Sequence, residues 1–167
     1  EIILASNIGL NLIEWTIDED TLSENPIIRE AGAIEIKRII NQHNCKINSV
    51  TLDILMERPY WKDKSKDTLK IFYNIIDGCI KLGIHILVKP LVDNGSIKEK
   101  KHIINLIDFV NQFSRILKKN NIKIAFESDF EPIQLKELIN KFDKDLVGIN
   151  FDTGNSASLG IDPEIEI

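Results

Sequence analysis

Histidine and cysteine are scarce, at three and two residues in a chain of 167. Cys45 and Cys79 stand far apart, with no Cys-x-x-Cys or Cys/His spacing. A thiolate zinc site is excluded, and the cysteines read as buried free thiols of a reducing, cytoplasmic setting. No Ser-His-Asp or Cys-His set can be assembled. No glycine-rich fingerprint of the GxGxxG or GKT type follows any strand pattern, which removes the common nucleotide-binding readings. No basic stripe with interleaved aromatics occurs and the net charge is -5, so a nucleic-acid surface is not expected. Lys98, Lys100 and Lys101 are the densest basic group and read as a solvated helix face. No apolar run approaches the roughly 20 residues of a membrane span. The chain opens on Glu1 rather than Met, and its first residues read as the end of a helix stopped by Gly9. A piece of a longer protein is expected, forming a single domain over 1–167.

What remains is ordinary globular material, 43% hydrophobic and 28% charged. Strand patterns fall near 11–17, 46–53, 84–90, 122–127 and 146–152. Helical patterns lie between them near 26–43, 65–82, 97–120 and 132–142. Asn25-Pro26 and Asp162-Pro163 look like caps followed by proline at the first helical position. Ser96 and Glu99 have capping-box spacing, and Gly83 stops the second long helix. Repeated βα units imply a parallel sheet with right-handed crossovers.

Side chains alternate between the two faces of a strand. One parity is apolar: Ile13, Trp15 and Ile17; Val50 and Leu52; Ile84, Ile86 and Val88; Ile122, Ile124 and Phe126; Val147, Ile149 and Phe151. The other is small or polar and carries Glu14, Asp53, His85, Lys89, Glu127 and Asp152. An apolar outside and a partly polar inside describe a (β/α)8 TIM barrel rather than a doubly wound sheet, whose central strands are apolar on both faces. Five strands of eight are present, so the fold class is α/β, a partial barrel holding strands two to six. Strands one, seven and eight are lacking.

In such a barrel the carboxyl ends of the strands form the active-site mouth. Glu127 and Asp152 end neighbouring apolar strands on the same parity, where two carboxylates can share one hard divalent cation. Glu14, Asp53 and Lys89 are the other charged residues expected near strand ends and are read as substrate-binding. Lys89, held extended by Pro90, could neutralise a phosphate or a developing enolate, or pair with Glu127 or Asp53. His85 is expected in the interior, and His43 and His102 on solvated helix faces. Trp15 is expected beneath a helix. Trp61, in the loop after the second of these strands, either packs in that loop or closes over a sugar.

Three stretches, Ile13-Glu-Trp-Thr-Ile-Asp18, Phe126-Glu-Ser-Asp129 and Phe151-Asp-Thr-Gly-Asn155, together resemble the sugar-phosphate isomerase/epimerase family of xylose-isomerase-like TIM barrels. The likeness runs over nearly the whole chain and is nearest the ketose and L-ribulose-5-phosphate 3-epimerase type. It implies one Mn²⁺, Mg²⁺ or Co²⁺ held by Glu, Asp, His and Glu from four strands. Glu127 matches the first ligand and Asp152 the second; the other two would lie beyond residue 167. Many free-sugar epimerases of the family have a substrate-touching His where this chain has Asn155, which the resemblance therefore makes a fourth substrate-binding residue, and the departure from His points toward the phosphosugar branch. The implied reaction is proton abstraction beside a carbonyl through an enediolate, with Glu127 as ligand and as one of the proton-transfer groups. The implied partners are a small sugar or sugar phosphate and possible further copies of the chain. An inosose-dehydratase-like lyase of the same superfamily, or a truncated barrel without activity, remains the alternative. The apurinic-site endonuclease branch fits neither the net charge nor the three histidines.

Overall fold

In a computed structural model that describes residues 1–167 apart from 30, 161, 163 and 165–167, five parallel strands lie side by side in chain order. They are β1 (Leu12–Thr16), β2 (Lys46–Thr51), β3 (Ile86–Leu91), β4 (Lys123–Ser128) and β5 (Val147–Ile149). The helices are α1 (Ile2–Asn7), α2 (Gly32–Gln42), α3 (Asp53–Glu57), α4 (Tyr60–Asp63), α5 (Lys66–Leu82), α6 (Lys100–Lys119), α7 (Pro132–Ile139) and α8 (Thr153–Leu159). A doubly wound sheet reverses its strand order at a switch point. An unbroken order with every pair parallel is the α/β topology of a barrel sector instead.

The long helices follow the sequence pattern because their apolar stripes recur at helical spacing. In α5, Phe72, Ile75, Ile76 and Cys79 are buried; in α6, Leu106, Phe109, Val110, Phe113 and Leu117 are. Ser65 caps α5 by accepting from Thr68 N at 3.4 Å, and Gly83 ends it at φ 73°. The stripes meet one face of the sheet, where Val50, Leu87, Ile124 and Phe126 are fully buried. Phe72 packs edge-on against Phe113 with ring centroids 4.8 Å apart. Each such side chain contributes about 1.5–3 kcal/mol through its burial. Cys45 and Cys79 are free and buried, as expected. Among the described residues no helix is long and apolar enough to cross a membrane.

Several local expectations give way to stronger interactions. The helix expected from residue 26 begins only at Gly32, because Asn25 is taken up elsewhere. Its Oδ1 accepts from Trp15 Nε1 at 3.2 Å and from Ile27 N at 3.1 Å, and its Nδ2 donates to Thr16 O at 3.2 Å. The turn so formed rests on α5 at Gly78, where an added Cβ would stand 2.1 Å from Ile27 O. The Ser96 capping box does not form: Ser96 Oγ donates to Asp129 Oδ2 at 2.5 Å, and α6 starts after Glu99. The Asp162-Pro163 cap lies outside the described residues through Pro163. Trp61 is not a mouth-closing aromatic; it is fully buried in α4 and donates to Gly95 O at 3.0 Å. His85 is exposed, with Nδ1 3.1 Å from Asn121 O, and His102 is buried rather than solvated. Lys98, Lys100 and Lys101 are exposed.

The largest correction concerns β3. Its register pairs Lys89 with Phe126 and Pro90 with Glu127, so Lys89 shares the helix-covered face with Phe126. The strand is apolar at both parities, with Leu87 and Leu91 on one face and Ile86 and Val88 on the other, so its polar residues misreport its orientation. Lys89 is fully buried with Nζ 3.7 Å from the Trp61 ring centroid and 4.7 Å from that of Phe109, and Nζ has no hydrogen-bond partner.

Candidate active site

Glu127 lies near the end of β4, on the face opposite the packed helices. Next to it β5 is short, and Asn150 N donates to Phe126 O at 2.8 Å, extending the ladder by one residue. That bond sets the Asn150 side chain beside Glu127, and Asn150 Nδ2 donates to Glu127 Oε2 at 2.9 Å. Asp152 is the N-cap of α8, where its Oδ1 accepts from Gly154 N at 2.7 Å and Asn155 N at 3.0 Å. One turn into the helix, Asn155 Nδ2 donates to Glu127 Oε1 at 2.7 Å. Glu127 and Asp152 are therefore joined through one asparagine, which bonds one carboxylate with its backbone and the other with its side chain.

Burial pushes the Glu127 carboxyl above the usual carboxylate range. The Asn150 bond opposes this, the charge of Asp152 adds to it, the Asn155 bond again opposes, and Asp53 adds a smaller push. Asp53 does not end β2 as expected but is the first residue of α3. Its carboxyl is likewise pushed up, first by burial and then by Asp18 and Glu14. The charges of Glu14 and Asp18 thus act on Asp53, and those of Asp152 and Asp53 on Glu127. Glu14, on β1, is held across the strand gap by the hydroxyls of Ser49 and Thr51, the latter at 2.6 Å. Asp18 Oδ1 accepts from Thr21 N and Thr21 Oγ1, both at 2.8 Å, which lowers its pKa. A cleft of about 390 Å³ runs beside Glu14 and Asp18, lined also by Trp15, Thr16, Thr21 and Asn25.

The structure thus gathers Glu14, Asp53, Glu127, Asp152 and Asn155 and leaves Lys89 on the far face. Sequence reasoning missed Asn150 and Asp18 as members of the mouth. The available signal for Asn150 was its parity, shared with Asp152 two residues on. Asp18 follows the strand and carries no parity signal.

Glu127 and Asp152 offer hard oxygen donors of the kind Mg²⁺ and Mn²⁺ take. Among the described residues no group of three or more His, Cys, Asp and Glu side chains could hold a metal ion. A divalent cation held there would need donors beyond this pair.

Residues 2–167 match the family model described as xylose isomerase-like TIM barrel. No curated protein matches the chain by sequence. Among solved structures, that of the IolI protein with a bound zinc atom superposes with a TM-score of 0.70 at 20% identity, over 98% of this chain and 60% of that one. A xylose isomerase-like TIM barrel protein from Mycobacterium smegmatis in complex with magnesium gives 0.69 at 16%, over 92% and 55%. D-psicose 3-epimerase in the presence of D-fructose gives 0.62 at 13%, over 94% and 58%. The chain therefore spans less than two thirds of the length of each, and at these identities the likeness is one of fold.

Proposed function

Since the chain belongs to the xylose isomerase-like TIM-barrel family, we propose that it carries part of the active site of a divalent-metal-dependent sugar isomerase or epimerase. Its substrate would be a ketose or ketose phosphate. The observation that carries this reading is the Glu127–Asn155–Asp152 arrangement, with the Glu127 carboxyl half-buried and held above the ordinary carboxylate range. A base working near neutrality gains from such a shift, because a carboxylate of higher pKa takes a proton more readily.

In the proposed reaction Glu127 takes the proton from the carbon beside the carbonyl, and the electron pair of the broken C–H bond moves toward the carbonyl oxygen; a second carboxylate then returns a proton to the opposite face of that carbon as the electron pair moves back, which inverts it. A bound divalent cation would supply Lewis acidity at that oxygen. Glu127 and Asp152 would hold the cation, as the first two ligands of the family's set. Mn²⁺, Mg²⁺ and Co²⁺ suit this oxygen-rich pair, and two structural neighbours carry zinc or magnesium. Glu14 and Asp53, on the rim of the mouth, would accept hydrogen bonds from sugar hydroxyls. The Asp152-Thr-Gly-Asn155 turn supports the L-ribulose-5-phosphate 3-epimerase type, and the D-psicose 3-epimerase neighbour supports a ketose substrate.

The test is turnover, by the complete protein rather than residues 1–167 alone, of a panel of ketoses and ketose phosphates with Mn²⁺, with products identified by NMR. The expected product is the epimer at the carbon beside the carbonyl, with no loss of water. A dehydrated product would assign the lyase chemistry instead, and no turnover of any sugar would remove the reading.

A further inference from the structure

We infer that Asn150 and Asn155 are positioning residues that fix the carboxylate plane of Glu127 for cation binding and proton transfer, an inference that rests on the role proposed for Glu127. Asn150 Nδ2 reaches Oε2 at 2.9 Å and Asn155 Nδ2 reaches Oε1 at 2.7 Å. An ionised carboxylate only accepts hydrogen bonds, so each amide must turn its NH₂ toward Glu127. With one donor on each oxygen, rotation of the carboxylate about its last bond would break both contacts. Each oxygen also keeps a second lone pair, open to a cation or to the proton of a substrate.

The two asparagines stand on different elements, and each is anchored. Asn150 is fixed by its backbone bond to Phe126 at 2.8 Å, and Asn155 by its backbone bond to Asp152 at 3.0 Å. The two N–H bonds to Asp152 both fall on Oδ1, so Oδ2 takes neither. Amides suit this task because they are neutral. A lysine in either place would pair with Glu127 and compete with the cation, and a carboxylate would repel it. Asn155 further makes the two expected ligands a single unit, since displacing its side chain from Glu127 and its backbone from Asp152 is one motion.

The experiment is a double-mutant cycle read by Mn²⁺ affinity, measured through water-proton relaxation enhancement, with circular dichroism to confirm folding. Asn155→Ala keeps the backbone bond to Asp152 and removes only the contact with Glu127. Asn155→Ala and Asn150→Ala are each expected to weaken Mn²⁺ binding by roughly 10-fold or more, the usual cost of removing a group that orients a ligand. In a Glu127→Gln background the same changes are expected to have almost no further effect, which a merely structural role would not produce. Losses of equal size in both backgrounds, or wild-type affinity in the single variants, would overturn the inference and leave the proposed function standing. Absence of Mn²⁺ binding by the unmodified protein would overturn both. If Asn150→Ala does not fold, Asn155→Ala decides the matter alone.

Discussion

The Lys89 Nζ lies 3.7 Å from the centroid of the Trp61 ring, on the face of β3 turned away from Glu127. The amine is fully buried, and burial takes its pKa well below the lysine range. A desolvated cation–π contact returns about 2 kcal/mol or more, whereas desolvating an ion costs several, so burial favours the neutral amine. Unfolded, the same lysine titrates near ~10.4. Between its folded pKa and that value the unfolded chain binds a proton the folded chain does not, so stability falls as pH drops through the window. Lys89→Met is expected to raise stability at pH 7 and to flatten the rise in stability toward alkaline pH. Urea denaturation at pH 7 and pH 10 checks it; a destabilised variant with an unchanged pH slope would show that the amine is charged and useful where it lies.

Asn25 is buried and satisfies Trp15, Ile27 and the carbonyl of Thr16 at once. Asn25→Ala strands the indole N–H and the Thr16 carbonyl, and an expected loss of about 1–3 kcal/mol follows from leaving such groups unpaired. A denaturation midpoint equal to the wild type's would mean that water serves them as well.

Asp152→Asn separates the two tasks of this residue. Asparagine caps a helix as well as aspartate does, so α8 should stay folded and overall stability should change by less than about 0.5 kcal/mol. Cation affinity should fall because a charged ligand becomes neutral. Titrating the rate with Mn²⁺ is expected to show a higher half-saturation and partial recovery at excess metal. A rate that no metal concentration restores would assign Asp152 a further role in the chemistry.

Among the described residues, exposed apolar side chains stand at both edge strands of the sheet. Leu10 and Leu12 are 55% and 56% exposed beside β1, and Ile149 and Phe151 are 50% and 39% exposed at β5. Unpaired edges with apolar side chains favour association. Residues 1–167 expressed alone are expected to scatter light as particles larger than 19.1 kDa, and Leu12→Lys to shift them toward monomer. A monodisperse 19.1 kDa particle of the unmodified chain would contradict this.

Where side-chain alternation was unambiguous, the sequence was informative. In β4 the contrast between Ile124 and Phe126 on one side and Ala125 and Glu127 on the other set the face of Glu127 correctly, and β5 behaved likewise through Val147 and Gly148. In β3 it failed, because apolar residues occupy both faces and the one lysine was read as a mouth residue when it is an aromatic-packed core residue. Helix stripes in α5 and α6 were legible for the same reason, namely spacing. Local cap signals were less so. Asn25 and Ser96 have cap chemistry, yet each side chain found a partner elsewhere: Asn25 at Trp15 and Thr16, Ser96 at Asp129. No local pattern announces such partners. The roles of Asn150 and Asn155 toward Glu127 were hidden for that reason too, since they depend on how α8 leaves the sheet.

The central claim, that Glu127 moves the proton beside the carbonyl, is tested most directly by turning over a ketose in D₂O with Mn²⁺ present and comparing wild type with Glu127→Gln. The substitution keeps size and removes proton-transfer capacity, which is worth roughly 10²–10⁴-fold in rate. The expected result is one deuterium at the epimerised carbon with the wild type, and loss of both deuterium uptake and epimer by that factor in Glu127→Gln. Wild-type rates of uptake and epimer formation in Glu127→Gln would contradict the claim outright.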